Sequence, residues 1–160
     1  MDFLNDNWIL YFHDPFLQDW SKGSYKELCK IDTIQSFWRV HKIINEKLTI
    51  GMFFLFREHI FPLWDDEYNK DGGCVSIKVL KEKSANFWES MSMKVLGEKL
   101  LFEDNDFTES INGISISPKK NFCIVKIWVK EPFFEKAAVL KTFNISKDFH
   151  GTPLYNSFEN

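Results

Sequence analysis

Six short runs of alternating or aromatic apolar residues punctuate this chain, too short for ordinary helices and too many for a helical bundle. They are residues 8–13, 51–56, 75–80, 111–117, 122–129 and 153–158. Each reads as a β-strand, because a period of two puts one set of side chains on each face of a pleated sheet. Pro118-Lys119-Lys120-Asn121 is turn chemistry, so the fourth and fifth runs form a hairpin. Helical spacing appears only in the gaps. Asp32-Thr33-Ile34-Gln35 reads as a helix start with Asp32 as N-cap and Gln35 three residues on. Ile34, Phe37, Trp38, His41 and Ile44 then recur at helical intervals. Ser84 or Asn86 is expected to start a second helix that ends near Gly97, and Pro132 a third that runs through Phe143. Phe61–Gly73 reads as an irregular loop. The expectation is an α+β fold: an antiparallel sheet with helices on one face.

A length of 160 residues predicts one domain over 1–160, and 17 phenylalanines can fill a sizeable core. The net charge of −3 excludes a protein that coats nucleic acid through its phosphates. It permits one that grips a single chemical feature at an RNA end. Cys29, Cys74 and Cys123 form no CxxC pair and no metal spacing, so they read as reduced thiols of a cytoplasmic protein. No metal or other cofactor is expected. The acidic start, Met1–Asp6, does not read as a signal peptide, and no run approaches a membrane-spanning length. His13, His41, His59 and His150 fall in no triad-like or metal-like array.

Two of six tryptophans sit where a core residue would not. Trp20 follows Pro15-Phe16-Leu17-Gln18-Asp19, and Trp64 lies in Pro62-Leu63-Trp64-Asp65-Asp66-Glu67. A loop tryptophan followed at once by a carboxylate can stack on a flat ring and accept hydrogen bonds from its edge. The face of an indole attracts a ring that is electron-poor or cationic. Plain burial of both is the competing reading.

An ordered set of blocks decides between them. Trp8-Ile9-Leu10-Tyr11-Phe12, Asp32-Thr33-Ile34-Gln35-Ser36-Phe37-Trp38, Pro62–Glu67, Asn69-Lys70-Asp71-Gly72-Gly73, Phe87-Trp88, Gly97-Glu98 and Ile127-Trp128 resemble the cap-binding translation initiation factor 4E family in order and spacing. The likeness covers roughly residues 4–130; the tail after Trp128 matches loosely. It implies a curved antiparallel sheet with three helices on the convex face and a concave pocket for the 7-methylguanosine cap of mRNA. It also implies a translation factor without catalysis.

On this resemblance Trp20 and Trp64 stack on the methylated base. Asp65 stands where the family has a glutamate for the base edge, one methylene shorter. Trp128 lines the pocket beside the methyl group. Lys119, Lys120 and Lys126 are the candidates for the cap phosphates. The family's arginine there falls on Ser117 or Pro118, and a basic residue after Gly-Gly is replaced by Cys74. The bias to lysine is general: of 20 basic residues only Arg39 and Arg57 are arginine, so phosphate contacts fall to point charges rather than forked guanidiniums. It also suggests an AT-rich source.

The resemblance further implies a monomer whose helix side binds scaffold initiation factor 4G or a 4E-binding-protein-like helical peptide. Ile34, Trp38 and Met93 match that partner face, with Glu89 where the family has a leucine. The family's His-Pro-Leu segment before the first strand is absent from this sequence. Three alternatives stay open: a repressor-type homologue, a homologue that competes for partners without binding cap, and a cap- or nucleotide-processing enzyme.

Overall fold

A computed structural model describes residues 2–102, 111–132 and 138–158. Seven strands form one antiparallel sheet: β1 (Phe3–His13), β2 (Lys26–Thr33), β3 (Met52–Arg57), β4 (Gly73–Leu80), β5 (Ile111–Pro118), β6 (Phe122–Val129) and β7 (His150–Ser157). Their order across the sheet is β2-β1-β3-β5-β6-β4-β7. Three helices accompany them: α1 (Ile34–Ile44), α2 (Lys81–Leu96) and α3 (Val139–Thr142).

The alternation in the sequence sorts side chains between two faces. Trp8 and Leu10 of β1, Phe53 and Leu55 of β3, Ile114 and Ile116 of β5, and Val125 and Ile127 of β6 point to the helices. There they meet Phe37 and Ile44 of α1, Phe87, Trp88, Met91 and Val95 of α2, and Val139 of α3 in the main core. Ile9, Tyr11, Phe54, Phe56 and Trp128 point the other way and form a smaller cluster with Ile60. That second face carries the candidate site.

Helix α1 begins one residue later than its sequence suggests. Its N-cap is Thr33, whose hydroxyl accepts from Ser36 N at 3.0 Å while Ser36 Oγ accepts from Thr33 N at 3.1 Å. Asp32 is still in β2, and the extended backbone of the strand end (φ −134°, ψ 161°) suits a β-branched residue. Helix α2 also departs from expectation. It starts at Lys81, straight from β4, with Leu80 as an N-cap that offers no side-chain bond. Ser84 is instead in the first turn, its hydroxyl donating to Leu80 O at 2.9 Å. Burial of Ser84, Phe87, Trp88, Met91 and Val95 on one stripe holds this helix without a capping side chain. It ends at Gly97 as expected, but Glu98 takes the left-handed conformation (φ 57°). Such a backbone costs a non-glycine residue about 1–2 kcal/mol. Arg57 offsets it with a two-point grip on the Glu98 carboxylate at 2.9 and 2.6 Å.

Residues 133–137 of the expected third helix lie outside the described residues; α3 supplies its Val139–Thr142 portion. The 118–121 turn closes as read, with Lys119 N donating to Phe122 O at 2.8 Å. Among the described residues no helix is long and apolar enough to cross a membrane.

Candidate functional site

A cavity of about 590 Å³ opens on the second face of the sheet. Its floor comes from strands: Tyr25 precedes β2, Met52 and Phe54 are on β3, Ser115 and Ser117 on β5, and Lys126 and Trp128 on β6. The two-residue period of β6 places Lys126 and Trp128 on this face and Val125 and Ile127 in the main core. The walls come from loops: Trp20 and Ser21 after β1, and Pro62, Leu63, Trp64 and Asp65 after β3. Phe158, after β7, completes the lining.

Trp20 is 46% exposed and Trp64 is 59% exposed, whereas Trp8 and Trp88 in the core are 0% and 1%. Trp20 is nonetheless held in place. Its ring stacks on that of His13 at a centroid distance of 3.9 Å and an interplanar angle of 4°. Trp128 is 7% exposed, donates from Nε1 to Ser115 Oγ at 3.0 Å, and meets Phe56 and Phe158 at 5.1 Å each.

The loop carrying Trp64 is built around Asn69, which is fully buried. Its amide donates to Phe61 O at 3.0 Å and Leu63 O at 2.8 Å, and its Oδ1 accepts from Asn112 Nδ2 of β5 at 2.9 Å. Asp66 accepts from Phe61 N at 3.1 Å and Tyr68 N at 2.9 Å. Asp66 is thus a staple of the loop. The loop ends in Gly72-Gly73 because backbone from other strands fills the space of a side chain. A Cβ would lie 1.9 Å from Val129 O at Gly72 and 2.3 Å from Asn156 O at Gly73.

Two charges in the lining have no partner among the described residues: the exposed Asp65 carboxylate and the half-buried Lys126 ammonium. Burial, helped by the charge of Asp65, pushes the Tyr25 hydroxyl up to about 12, so that phenol stays neutral. Burial also raises the Cys74 thiol, against a smaller opposite pull from Lys126. Lys119 and Lys120 stand exposed in the hairpin turn, beyond Ser117 at the cavity edge. A second hollow of about 550 Å³ lies around Arg57, Glu98 and Asp6. Arg57, Asp6 and Glu98 are spent on each other, with Arg57 reaching Asp6 at 3.0 Å and Glu98 at 2.6 Å and also donating to Ile111 O at 2.7 Å; exposed Lys130 lines the same hollow. The Trp20–Trp64 cavity combines two open indoles with an unpartnered carboxylate.

On the helix face, Trp38, Ile34 and Met93 are each half-buried. Trp38 packs edge-on to Phe37 at 5.2 Å and His41 at 5.8 Å. Buried His41 lies 3.3 Å from the Glu89 carboxylate, an ion-pair distance without hydrogen-bond alignment. Glu89, which stands where the family has a leucine, thus has a neighbour. The structure adds Tyr25, Ser115 and Phe158 to the lining and His13 beneath Trp20. Phe158 lay in the loosely matching tail and gave no sequence signal. His13 was visible in the alternation that sets it with Ile9 and Tyr11.

A family model for eukaryotic initiation factor 4E matches residues 3–150. The chain belongs to that family. It is 29% identical over 160 residues to eukaryotic translation initiation factor 4E of Xenopus laevis, covering 94% of this chain and 71% of that protein. It is 28% identical over 110 residues to the eukaryotic translation initiation factor NCBP of Oryza sativa subsp. japonica, covering 67% of this chain but only 46% of that protein. Ascaris suum eIF4E-3, solved in complex with an m2,2,7G cap, superposes with a TM-score of 0.70 at 26% identity, covering 82% of this chain and 75% of that one.

Proposed function

We propose that this chain, a monomer of one domain working in the cytoplasm, binds the 7-methylguanosine cap of mRNA between Trp20 and Trp64. The observation that carries this reading is the lining of one cavity by two open indoles and an unpaired carboxylate. Methylation at N7 makes the base cationic, so two indole faces attract it by stacking and cation–π forces. Its N1–H and N2–H₂ form a pair of donors that Asp65 accepts as charge-assisted hydrogen bonds. Trp128 closes the cavity beside the methyl group. Lys126 is the nearest cation for the phosphates, with Lys119 and Lys120 as outer charges. Family membership supports the assignment. Nothing in it requires catalysis: the groups grip a ring and an anion and leave every bond intact.

The same reading gives the helix face to an amphipathic helix of scaffold initiation factor 4G or of a 4E-binding protein, anchored at Trp38 with Ile34 and Met93 alongside. Recruitment of a scaffold to capped mRNA is then the protein's role in translation initiation. Titration of tryptophan fluorescence with 7-methyl-GTP and with GTP tests the pocket. The methylated ligand is expected to bind far more tightly; equal affinities overturn the assignment. Calorimetry with a scaffold peptide tests the other face: Trp38→Ala is expected to abolish peptide binding and leave the affinity for 7-methyl-GTP unchanged.

A further inference from the structure

We propose that His13 is the positioning residue of the Trp20 wall: as a doubly protonated ring it ties both ends of the 14–19 loop and fixes the plane of the indole. The inference about affinity rests on the cap-binding reading; the one about His13 itself does not. His13 is fully buried at the end of β1. Its Nδ1 lies 2.9 Å from Asp14 O, and its Nε2 lies 2.7 Å from Asp19 O and 3.1 Å from Ser24 Oγ. Carbonyl oxygens only accept. The Ser24 hydroxyl spends its own proton on Ser21 O at 2.7 Å, so towards His13 it too can only accept. Every partner of the ring is thus an acceptor, and only an imidazole with a proton on each nitrogen can serve them all. A neutral ring would turn a lone pair on one of these oxygens.

The two carbonyls belong to the first and last residues of the loop that leads into Trp20, so one ring clamps both ends. The same ring then supplies the surface on which the indole lies parallel. Around it, the Asp14 and Asp19 carboxylates turn to Phe16 N and Ser21 N, each at 2.9 Å. From the β2 side, Tyr25 meets His13 edge-on at 4.9 Å and is neutral. Lys26 lies opposite Phe12, and from β3 the residue opposite is the uncharged Met52. The Asp14 and Asp19 carboxylates stand near the ring. A cationic base on the outer face of Trp20 would repel the imidazolium, but only across the indole and at twice a stacking distance. Loss of the clamp frees the Trp20 wall, and the affinity for a ring stacked on it is expected to fall.

The test has two arms. Long-range proton–nitrogen correlation spectra of labelled wild-type protein without ligand read the ring nitrogens directly. Both are expected to carry protons in the folded protein; a single-tautomer pattern overturns the proposal. In the second arm, 7-methyl-GTP is titrated against wild type and His13→Phe. His13→Phe keeps a flat ring under Trp20 and loses both N–H groups. It is expected to bind about tenfold more weakly than wild type. Equal affinity overturns the proposal. If His13→Phe does not fold, the wild-type spectra decide. If wild type binds no 7-methyl-GTP, the cap reading fails, and the spectra still decide the state of His13.

Discussion

The two faces of the sheet treat the same residue type in opposite ways. On the helix face, Trp8 and Trp88 are sealed among aliphatic and aromatic neighbours; on the other, Trp20 and Trp64 lie open at the rim of a cavity. Open indoles are therefore not a sign that this chain lacks room to bury them. They are held in the open by hydrogen bonds of two buried side chains, His13 on one side and Asn69 on the other. One face uses aromatic area for cohesion and the other leaves it open.

The contrast is broken most directly by removing one tryptophan from each face. Trp88→Ala is expected to lower the unfolding free energy by about 3–5 kcal/mol. Trp64→Ala is expected to leave it within about 0.5 kcal/mol of wild type while weakening 7-methyl-GTP by about 1–3 kcal/mol. Urea denaturation and fluorescence titration read the two quantities. Comparable losses of stability in both variants would erase the distinction between the faces.

Within the open face, the neighbours Asp65 and Asp66 separate recognition from scaffold. Asp65→Ala is expected to cost about 1.5–3 kcal/mol of ligand affinity at unchanged stability, because base donors are left unpaired. Asp66→Ala leaves two backbone N–H groups of the loop without acceptors, for a loss of about 1–3 kcal/mol in stability. Normal ligand affinity in Asp65→Ala would move the edge contact to another group.

Alkaline pH should loosen the cavity floor through Tyr25. An unfolded tyrosine gives up its proton near 10.0, while the folded one keeps it to about 12. Stability from this group is complete below 10 and is lost as pH climbs to 12; partial exposure trims it to about 1–2 kcal/mol. Thermal melts over that range are expected to fall less steeply for Tyr25→Phe than for wild type.

The smallest effect sharpens the phosphate assignment. Lys126→Ala is expected to weaken a triphosphate analogue by about 1 kcal/mol and to resist added salt. Neutralising Lys119 and Lys120 together is expected to cost less, with the loss disappearing at high salt. Comparison of mono- and triphosphate analogues by fluorescence measures both, and a larger, salt-resistant effect from the turn pair would place the phosphates at the hairpin.

Much of this was legible in the chain because a strand writes its two faces into alternate letters. β1, β3, β5 and β6 could be read that way, as could the 118–121 turn and the exposure of Trp20 and Trp64. What was illegible depends on backbone geometry and on distant pairings. The start of α1 was misread because Asp32 and Thr33 are both good capping residues, and only the extent of β2 decides between them. The start of α2 was misread because burial, not a capping side chain, sets it. Asp65 and Asp66 are identical letters; the fold of the loop makes one a free acceptor and the other a staple. Phe158 enters the cavity only because β7 pairs with β4 at the sheet edge, and Glu89 meets His41 only when α1 and α2 lie side by side.

The bond from Asn112 to Asn69 also governs how the protein ages. Asn112 precedes Gly113, and an asparagine followed by glycine is prone to lose ammonia when the glycine nitrogen can swing onto the side-chain amide. Here that amide is buried, its two hydrogens going to Tyr68 O at 2.7 Å and Asn69 Oδ1 at 2.9 Å. Gly113 is pinned so closely that a Cβ there would lie 2.5 Å from Leu55 O. While the strand is closed, the reaction has no path. Whenever it opens, conversion to aspartate would replace two donors by acceptors facing a carbonyl oxygen and an amide oxygen, and the loop bearing Trp64 would no longer seat. The shelf life of the binding site is thus set by how often a central strand opens, not by the exposure of the tryptophans at its rim.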